Sequence, residues 1–285
     1  MLKKTENTSG NTSDRVLVLG GTGKTGRRIV DRLQAKNVEH RVGSRSSSPS
    51  FDWNDVSTWE TCLRNVEAAY FFSPDLAVDN PAETVQAFLR QAQASGVQRI
   101  VLLSGRGEEK AGACERMVQA SGLDWTIIRA SWFNQNFSEG GFTDLVLSGQ
   151  ITLPAGEKTE PFVDVDDIAD VAVAALTEPG HHGEIYEVTG PRLLSFADIA
   201  TELSNATGRE ISYVSIPHDA FVGGARESGA PEEIVQMMDY LFGTVLDGRN
   251  EYLADGVQRA LGRPPRDFAD YARDAAAANA WLVAS

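Results

Sequence analysis

Arg15-Val-Leu-Val-Leu-Gly-Gly-Thr-Gly-Lys-Thr-Gly26 decides the fold. The apolar run from Arg15 to Leu19 reads as a short buried parallel strand, because both of its faces are hydrophobic. Lys24 to Ala35 follows at helical spacing, with Ile29, Val30 and Leu33 on one face. Between strand and helix stand Gly20, Gly23 and Gly26. The first glycine allows the tight turn, the second lets a pyrophosphate approach the backbone, and the third lets helix and strand pack closely. Free N–H groups at the helix start, with Thr22, Lys24 and Thr25 around them, then face an anion. The spacing around Lys24 does not fit a Walker A loop. A glycine pattern that follows a strand and opens a helix predicts a dinucleotide phosphate site.

Working outward, strands and helices alternate. His40 to Gly43, Ala68 to Phe72, Arg99 to Leu103, Trp125 to Arg129 and Glu184 to Thr189 read as strands. Thr58 to Val66, Glu83 to Ala94, Cys114 to Ala120, Asp166 to Leu176 and Phe196 to Thr207 read as helices, the last capped by Ser195 and ended by Gly208. This alternation specifies an α/β fold, a doubly wound parallel Rossmann sheet covered on both faces. The expected organisation is a polar tail over 1–14 and a dinucleotide-binding core over 15–130, completed by about 162–190. A smaller, mostly helical substrate lobe is expected over 131–161 and 191–285.

The chain has 285 residues, 42% of them apolar, and a formal net charge of −14. That acidity argues against nucleic acid as a partner, since phosphate backbones are repelled by a negative surface. No run approaches the ~20 apolar residues of a membrane span. Two cysteines, Cys62 and Cys114, make no disulfide framework, and a cytoplasmic location is expected. Asp164, Asp166 and Asp167 read as a turn and helix cap, not as metal ligands. The expected partner is a small-molecule substrate, with the protein a monomer or homodimer.

NAD sites place an acid at the end of the second strand to hold the ribose. Here that strand runs into Ser44-Arg45. Arg45 offers a planar donor fork to a 2′-phosphate, Ser44 adds a hydroxyl, and Arg41 is a second candidate. The cofactor read from this pattern is NADP(H).

Three stretches carry a likeness: Gly20-Gly-Thr-Gly-Lys-Thr-Gly26, Phe162-Val-Asp-Val-Asp-Asp-Ile-Ala169 and Tyr186-Glu-Val-Thr-Gly-Pro191. They resemble the NmrA-like group of atypical short-chain dehydrogenase/reductases over nearly the whole chain after the tail. Within it the chain looks most like the bacterial NAD(P)H:quinone oxidoreductases and the ergot-alkaloid reductases; Arg259 to Pro265 and Phe268 to Trp281 are similar to the latter. The resemblance implies cofactor contacts at Gly20, Thr22, Gly23, Lys24, Thr25, Arg45, Asp52, Phe72 and Ser104. It implies a substrate pocket near Trp132, Phe133, Asn136 and Phe137. It leaves open a cofactor-binding regulator without turnover, and an isomerase or cyclase that uses the cofactor as scaffold.

Ordinary short-chain dehydrogenases protonate an alkoxide with a Tyr four residues before a Lys. Gly105 to Glu115 holds Lys110 but no tyrosine. Quinones and iminium ions need no such acid, because hydride gives a stabilised phenolate or a neutral amine. Hydride transfer to such planar acceptors is therefore the expected reaction. Ser104, Lys110 and Asn136 are the catalytic candidates. Simple ketones are expected to be poor acceptors unless a lobe tyrosine, Tyr213 or Tyr240, supplies the proton. His218 and Phe242 are further lobe residues within possible reach.

Overall fold

The computed structural model describes residues 16–74, 78 and 80–282; the predicted tail and Arg15 lie outside them. In chain order the elements begin β1 (Val16–Leu19), α1 (Lys24–Ala35), β2 (His40–Gly43), α2 (Trp59–Leu63), β3 (Ala68–Phe72) and α3 (Pro81–Ala94). They continue with β4 (Arg99–Gly105), α4 (Glu109–Gln119), β5 (Asp124–Ala130), α5 (Thr143–Ser148), β6 (Gln150–Leu153) and β7 (Thr159–Glu160). Next come α6 (Val165–Thr177), β8 (Glu184–Val188), β9 (Leu194–Ser195), α7 (Phe196–Thr207) and β10 (Ser212–Ser215). Last are α8 (His218–Glu227), α9 (Glu232–Tyr240), α10 (Gly256–Leu261) and α11 (Phe268–Ala277).

Six parallel strands form the main sheet in the order β2-β1-β3-β4-β5-β8. The chain runs outward from β1 to β2, then crosses back to β3 on the other side. The switch point therefore lies beside β1, and crevices at such points open at the carboxyl ends of strands. Alternation sorts the strand residues. Val16, Val18, Val101 and Ile128 face α1 and α6, while Leu17, Leu19, Leu102 and Ile127 face α2, α3 and α4. The Rossmann core is thus a sheet buried on both sides.

A second core is aromatic. Phe137, Phe142, Phe162, Phe196, Phe242 and Phe268 pack with Tyr271 and Trp281, all of them buried. Full burial contributes about 1.5–3 kcal/mol for each such ring. Around this core lie a parallel pair, β6 with β10, and an antiparallel pair, β7 with β9. Helix α10 leaves the lobe and packs on the sheet core through Val257.

Local signals explain the helix starts. Ser195 and Asp198 form a reciprocal capping box on α7, which satisfies two end N–H groups. Asp164 caps α6 by accepting the Asp166 amide, so the acidic cluster is a cap as its spacing indicates. Helix α4 starts at Glu109 rather than at the expected Cys114. The glycines at 105, 107 and 112 suggest loop, yet Gly112 sits inside the helix, where a glycine costs only about 1 kcal/mol. Among the described residues no helix is long and apolar enough to cross a membrane.

Candidate active site

The glycine turn closes the carboxyl end of β1. Gly20 has φ +68°, the left-handed region, and a side chain there would press on the Phe72 ring at 3.0 Å. Gly26 packs so tightly that a Cβ would lie 2.2 Å from the Gly20 carbonyl oxygen. At Gly23 a Cβ would meet only that oxygen, at 3.3 Å, and Thr22 and Gly23 are exposed. The two glycines therefore separate fold from ligand. Gly26→Ala is expected to lower stability by about 2 kcal/mol through overpacking, read as a fall in urea midpoint. Gly23→Val should fold normally and lose dinucleotide binding, read by NADPH fluorescence; normal binding would remove Gly23 from the site.

Lys24 and Thr25 begin α1. The Lys24 ammonium donates to Asn136 Oδ1 at 2.8 Å. Burial lowers its pKa; Glu139 opposes this, and Arg27 and Arg28 add to the lowering. Thr25 Oγ1 accepts the buried Tyr70 hydroxyl at 3.0 Å. Further along, Arg27 and Arg28 pair with Glu139, and Arg32 pairs with Asp166 and Asp170 on α6. The turn's helix is thereby tied to α6 and to the lobe.

Arg45 lies just past β2, exposed, with no hydrogen bond or ion pair to it among the described residues. Ser44 Oγ lies 3.3 Å from Ser46 Oγ. Arg41 does not share this freedom. It donates to the Thr61, Cys62 and Arg64 carbonyls, so it caps the end of α2 instead of reaching for a phosphate. Asp52 accepts the Asn54 amide at 2.9 Å, and its carbonyl takes the Trp59 indole. Phe72, 39% exposed, stands against Gly20. The turn, the unpartnered guanidinium and the exposed ring fit an adenine dinucleotide phosphate.

Other expected residues sit differently. Ser104 is buried and donates to Glu115 at 2.6 Å; its side chain faces α4, so the hydroxyl is committed and not presented to a ligand. Lys110 is exposed on α4, whose inward face carries Ala111, Cys114, Glu115 and Val118. Phe137 is fully buried in the lobe core, its ring 5.3–5.9 Å from Phe142, Phe162 and Phe268. Trp132 is half-buried and stacks on Phe142 at 6.2 Å. Phe133 is half-buried against the sheet core and bridges to Val163. Asn136 is held by Lys24.

The model for the NAD(P)H-binding family matches residues 20–179, and that for the NmrA-like family matches residues 108–263. The chain belongs to the NmrA-like family. It is 33% identical to an agroclavine dehydrogenase of Claviceps fusiformis, over 94% of this chain and 99% of the relative. It is 30% identical to an NAD(P)H azoreductase of Xenophilus azovorans, over 92% of this chain and 98% of that one. A crystal structure of an NADPH-dependent quinone oxidoreductase from Escherichia coli superposes with TM-score 0.75 at 20% identity, covering 91% of this chain and 98% of that one. This NmrA-like chain is an NAD(P)H-dependent oxidoreductase of the atypical short-chain dehydrogenase/reductase kind.

The NmrA-like fold here also shows a cleft that the sequence did not announce. It has about 570 Å³ and lies at the carboxyl ends of β4, β5 and β8, lined by Arg106, Glu108, Arg129, Glu187 and Tyr252 among others. Ser104, Arg129 and Glu187 stand in register across those strands. Arg129 grips Glu115 through Nε at 2.9 and 3.0 Å and through Nη2 at 2.5 Å. Arg106, 3% exposed, stacks on Tyr252 at 4.2 Å. Behind it Glu160, 1% exposed, accepts from Ser131 at 3.0 Å. Burial pushes the Glu160 pKa up to about 7, against the pull of Ser131, Asn250 and Arg106. No motif marks this acid; only the fold buries it.

Glu160 makes stability depend on pH. Its folded value, about 7, exceeds the ordinary 4.5, so between those values the folded state holds a proton that the unfolded chain has released. The contribution is full below pH 4.5 and is lost as pH rises through 7. Glu160→Gln should flatten this profile and be more stable than wild type by roughly 3 kcal/mol above neutrality. Urea midpoints compared on the acid and alkaline sides check it; parallel curves for the two proteins would refute it.

The lobe tyrosines divide. Tyr213 donates to the Leu153 and Gly156 carbonyls and serves the lobe. The Tyr240 hydroxyl accepts the Glu109 amide at the start of α4, at 3.3 Å. His218 pairs with Asp239 at 2.6 Å, and Phe242 is in the aromatic core.

Proposed function

We propose that the chain is an NADP(H)-dependent reductase that passes hydride to a quinone, an imine or iminium ion, or a similarly activated planar acceptor, without a Tyr–Lys dyad on α4. The observation that carries it is the exposed, unpartnered Arg45 at the end of β2, beside a glycine turn open at Gly23. The turn's amides and Lys24 would hold the diphosphate, Arg45 and Ser44 the 2′-phosphate, and Phe72 would cover the turn. The reduced dinucleotide supplies the hydride. The chain's own part is to seat the acceptor beside it and to exclude water, and Trp132 with Phe133 offers flat surface at the end of β5. Redox chemistry on quinones and iminium ions asks the protein for no proton at the moment of transfer.

We place the protein in the reducing cytoplasm, supported by Cys62 and Cys114 standing as buried thiols outside any disulfide. The test is loss of NADPH absorbance with a panel of quinones and cyclic iminium ions. Steady oxidation with at least one of them is expected. Tight NADPH binding without turnover of any would favour a regulator, and chemical change in an acceptor without net NADPH loss would favour an isomerase.

A further inference from the structure

We propose that Tyr240 is the proton donor that extends this site to acceptors whose heteroatom must be protonated as hydride arrives, a carbonyl or an azo bond; the proposal rests on the reductase reading above. Helix α4 cannot supply that proton. The position four residues before Lys110 is Arg106, and α4 carries no tyrosine. The phenol comes instead from the lobe.

Tyr240 ends α9, and its hydroxyl accepts the Glu109 N–H at 3.3 Å. Two residues earlier, the Met238 methyl lies 3.7 Å from where a Cβ on Gly141 would stand. Helix α9 is thus braced between the lobe loop that follows Asn136 and the start of α4. That fixes the phenol at the carboxyl edge of β4, whose last residue, Gly105, lines the charged cleft together with Glu109.

The charges facing the phenol come from three elements. On α4 is the positive end of an 11-residue helix, whose Glu109 amide meets the hydroxyl, with the Glu109 carboxylate beside it. From the 247–250 segment comes Arg249, which donates to the Gly107 carbonyl at 3.0 Å and is paired with Asp247 at 2.7 Å. On α9 itself is Asp239, neutralised by His218 when that ring is protonated. The helix end and Arg249 stabilise a phenolate; Asp247 blunts the second, and Glu109 and Asp239 oppose. In the step, the hydride forms the new bond to carbon or nitrogen. The electron pair released from the C=O or N=N bond takes the Tyr240 proton, and the phenolate regains one from water.

Two measurements test this. Ultraviolet titration of cofactor-free protein, wild type minus Tyr240→Phe, isolates one phenol. This phenol is expected to titrate reversibly in the folded protein, as a hydroxyl in contact with the cleft's solvent does; a phenol that ionises only when the protein unfolds would overturn the proposal. Second, Tyr240→Phe should lose about 10²–10⁴-fold in kcat on an aromatic aldehyde or azo dye, a loss at least about a hundredfold greater than its loss on benzoquinone, with NADPH affinity retained. Equal losses on all acceptors, or a wild type that reduces quinone but neither aldehyde nor azo dye, would overturn it. A wild type that oxidises no NADPH with any acceptor sinks the reductase reading itself.

Discussion

Arg129→Met is expected to destabilise the protein by about 3–5 kcal/mol, measured as a shift in urea midpoint. Glu115 is 4% exposed at its side chain and accepts three donor contacts from Arg129. Removing the guanidinium strands a carboxylate between α4 and the sheet, held by the Ser104 hydroxyl. An unpaired buried charge costs far more than the pair contributes, because two charges taken out of water gain little net energy from each other. The double change Glu115→Met with Arg129→Met should therefore recover most of the loss. If the single change costs less than about 1 kcal/mol, the pair behaves as a solvated surface bridge and the reading of this cluster as buried is wrong. The site depends on the answer, since this cluster fixes the carboxyl ends of β4, β5 and β8, where the charged cleft opens.

Arg45→Ala should weaken NADPH by about 1.5–3 kcal/mol, the usual worth of hydrogen bonds to a charged group. NADH should be almost unaffected, because it lacks the 2′-phosphate. Fluorescence titration of both reduced dinucleotides, in wild type and variant, measures the difference directly. Arg45 is suited to this role because nothing else among the described residues holds it. Arg41 provides the internal comparison: its guanidinium is spent on three backbone carbonyls near α2. Arg41→Ala should therefore act on stability and leave the NADPH preference alone. Wild-type protein that binds NADH as tightly as NADPH would end the 2′-phosphate assignment.

Most of the Rossmann core was legible because its signals are local. Strand β1 and helix α1 announce themselves through an apolar run, three spaced glycines and a helical stripe, and the structure places them at Val16–Leu19 and Lys24–Ala35. Helix α7 was legible for the same reason, with Ser195 and Gly208 marking its ends. Less legible were judgements that depend on which way a side chain points. Ser104 ends a strand, but strand alternation turns it toward α4. Phe137 belongs to an aromatic run that spans both open and buried surface, and composition does not separate the two. The pairings of β6 with β10 and of β7 with β9 join segments about 35–60 residues apart, and no short-range pattern encodes such contacts. Glu160 lay beyond reach for that reason as well, and Tyr240, named from the sequence as a lobe tyrosine, could not be placed without its contact to Glu109.

Lys24 has one consequence for how the two lobes communicate. A single ammonium at the start of the phosphate turn is held by the Asn136 amide, and a Cβ on Gly140 would lie 2.5 Å from it. An anion settling on the turn competes with that amide for the same three protons. The loop that carries Trp132 and Phe133 forward into 134–141 thus has its anchor at the start of the glycine turn. With a dinucleotide seated on that turn, as proposed above, filling one lobe would slacken the other, and cofactor and acceptor would not bind independently.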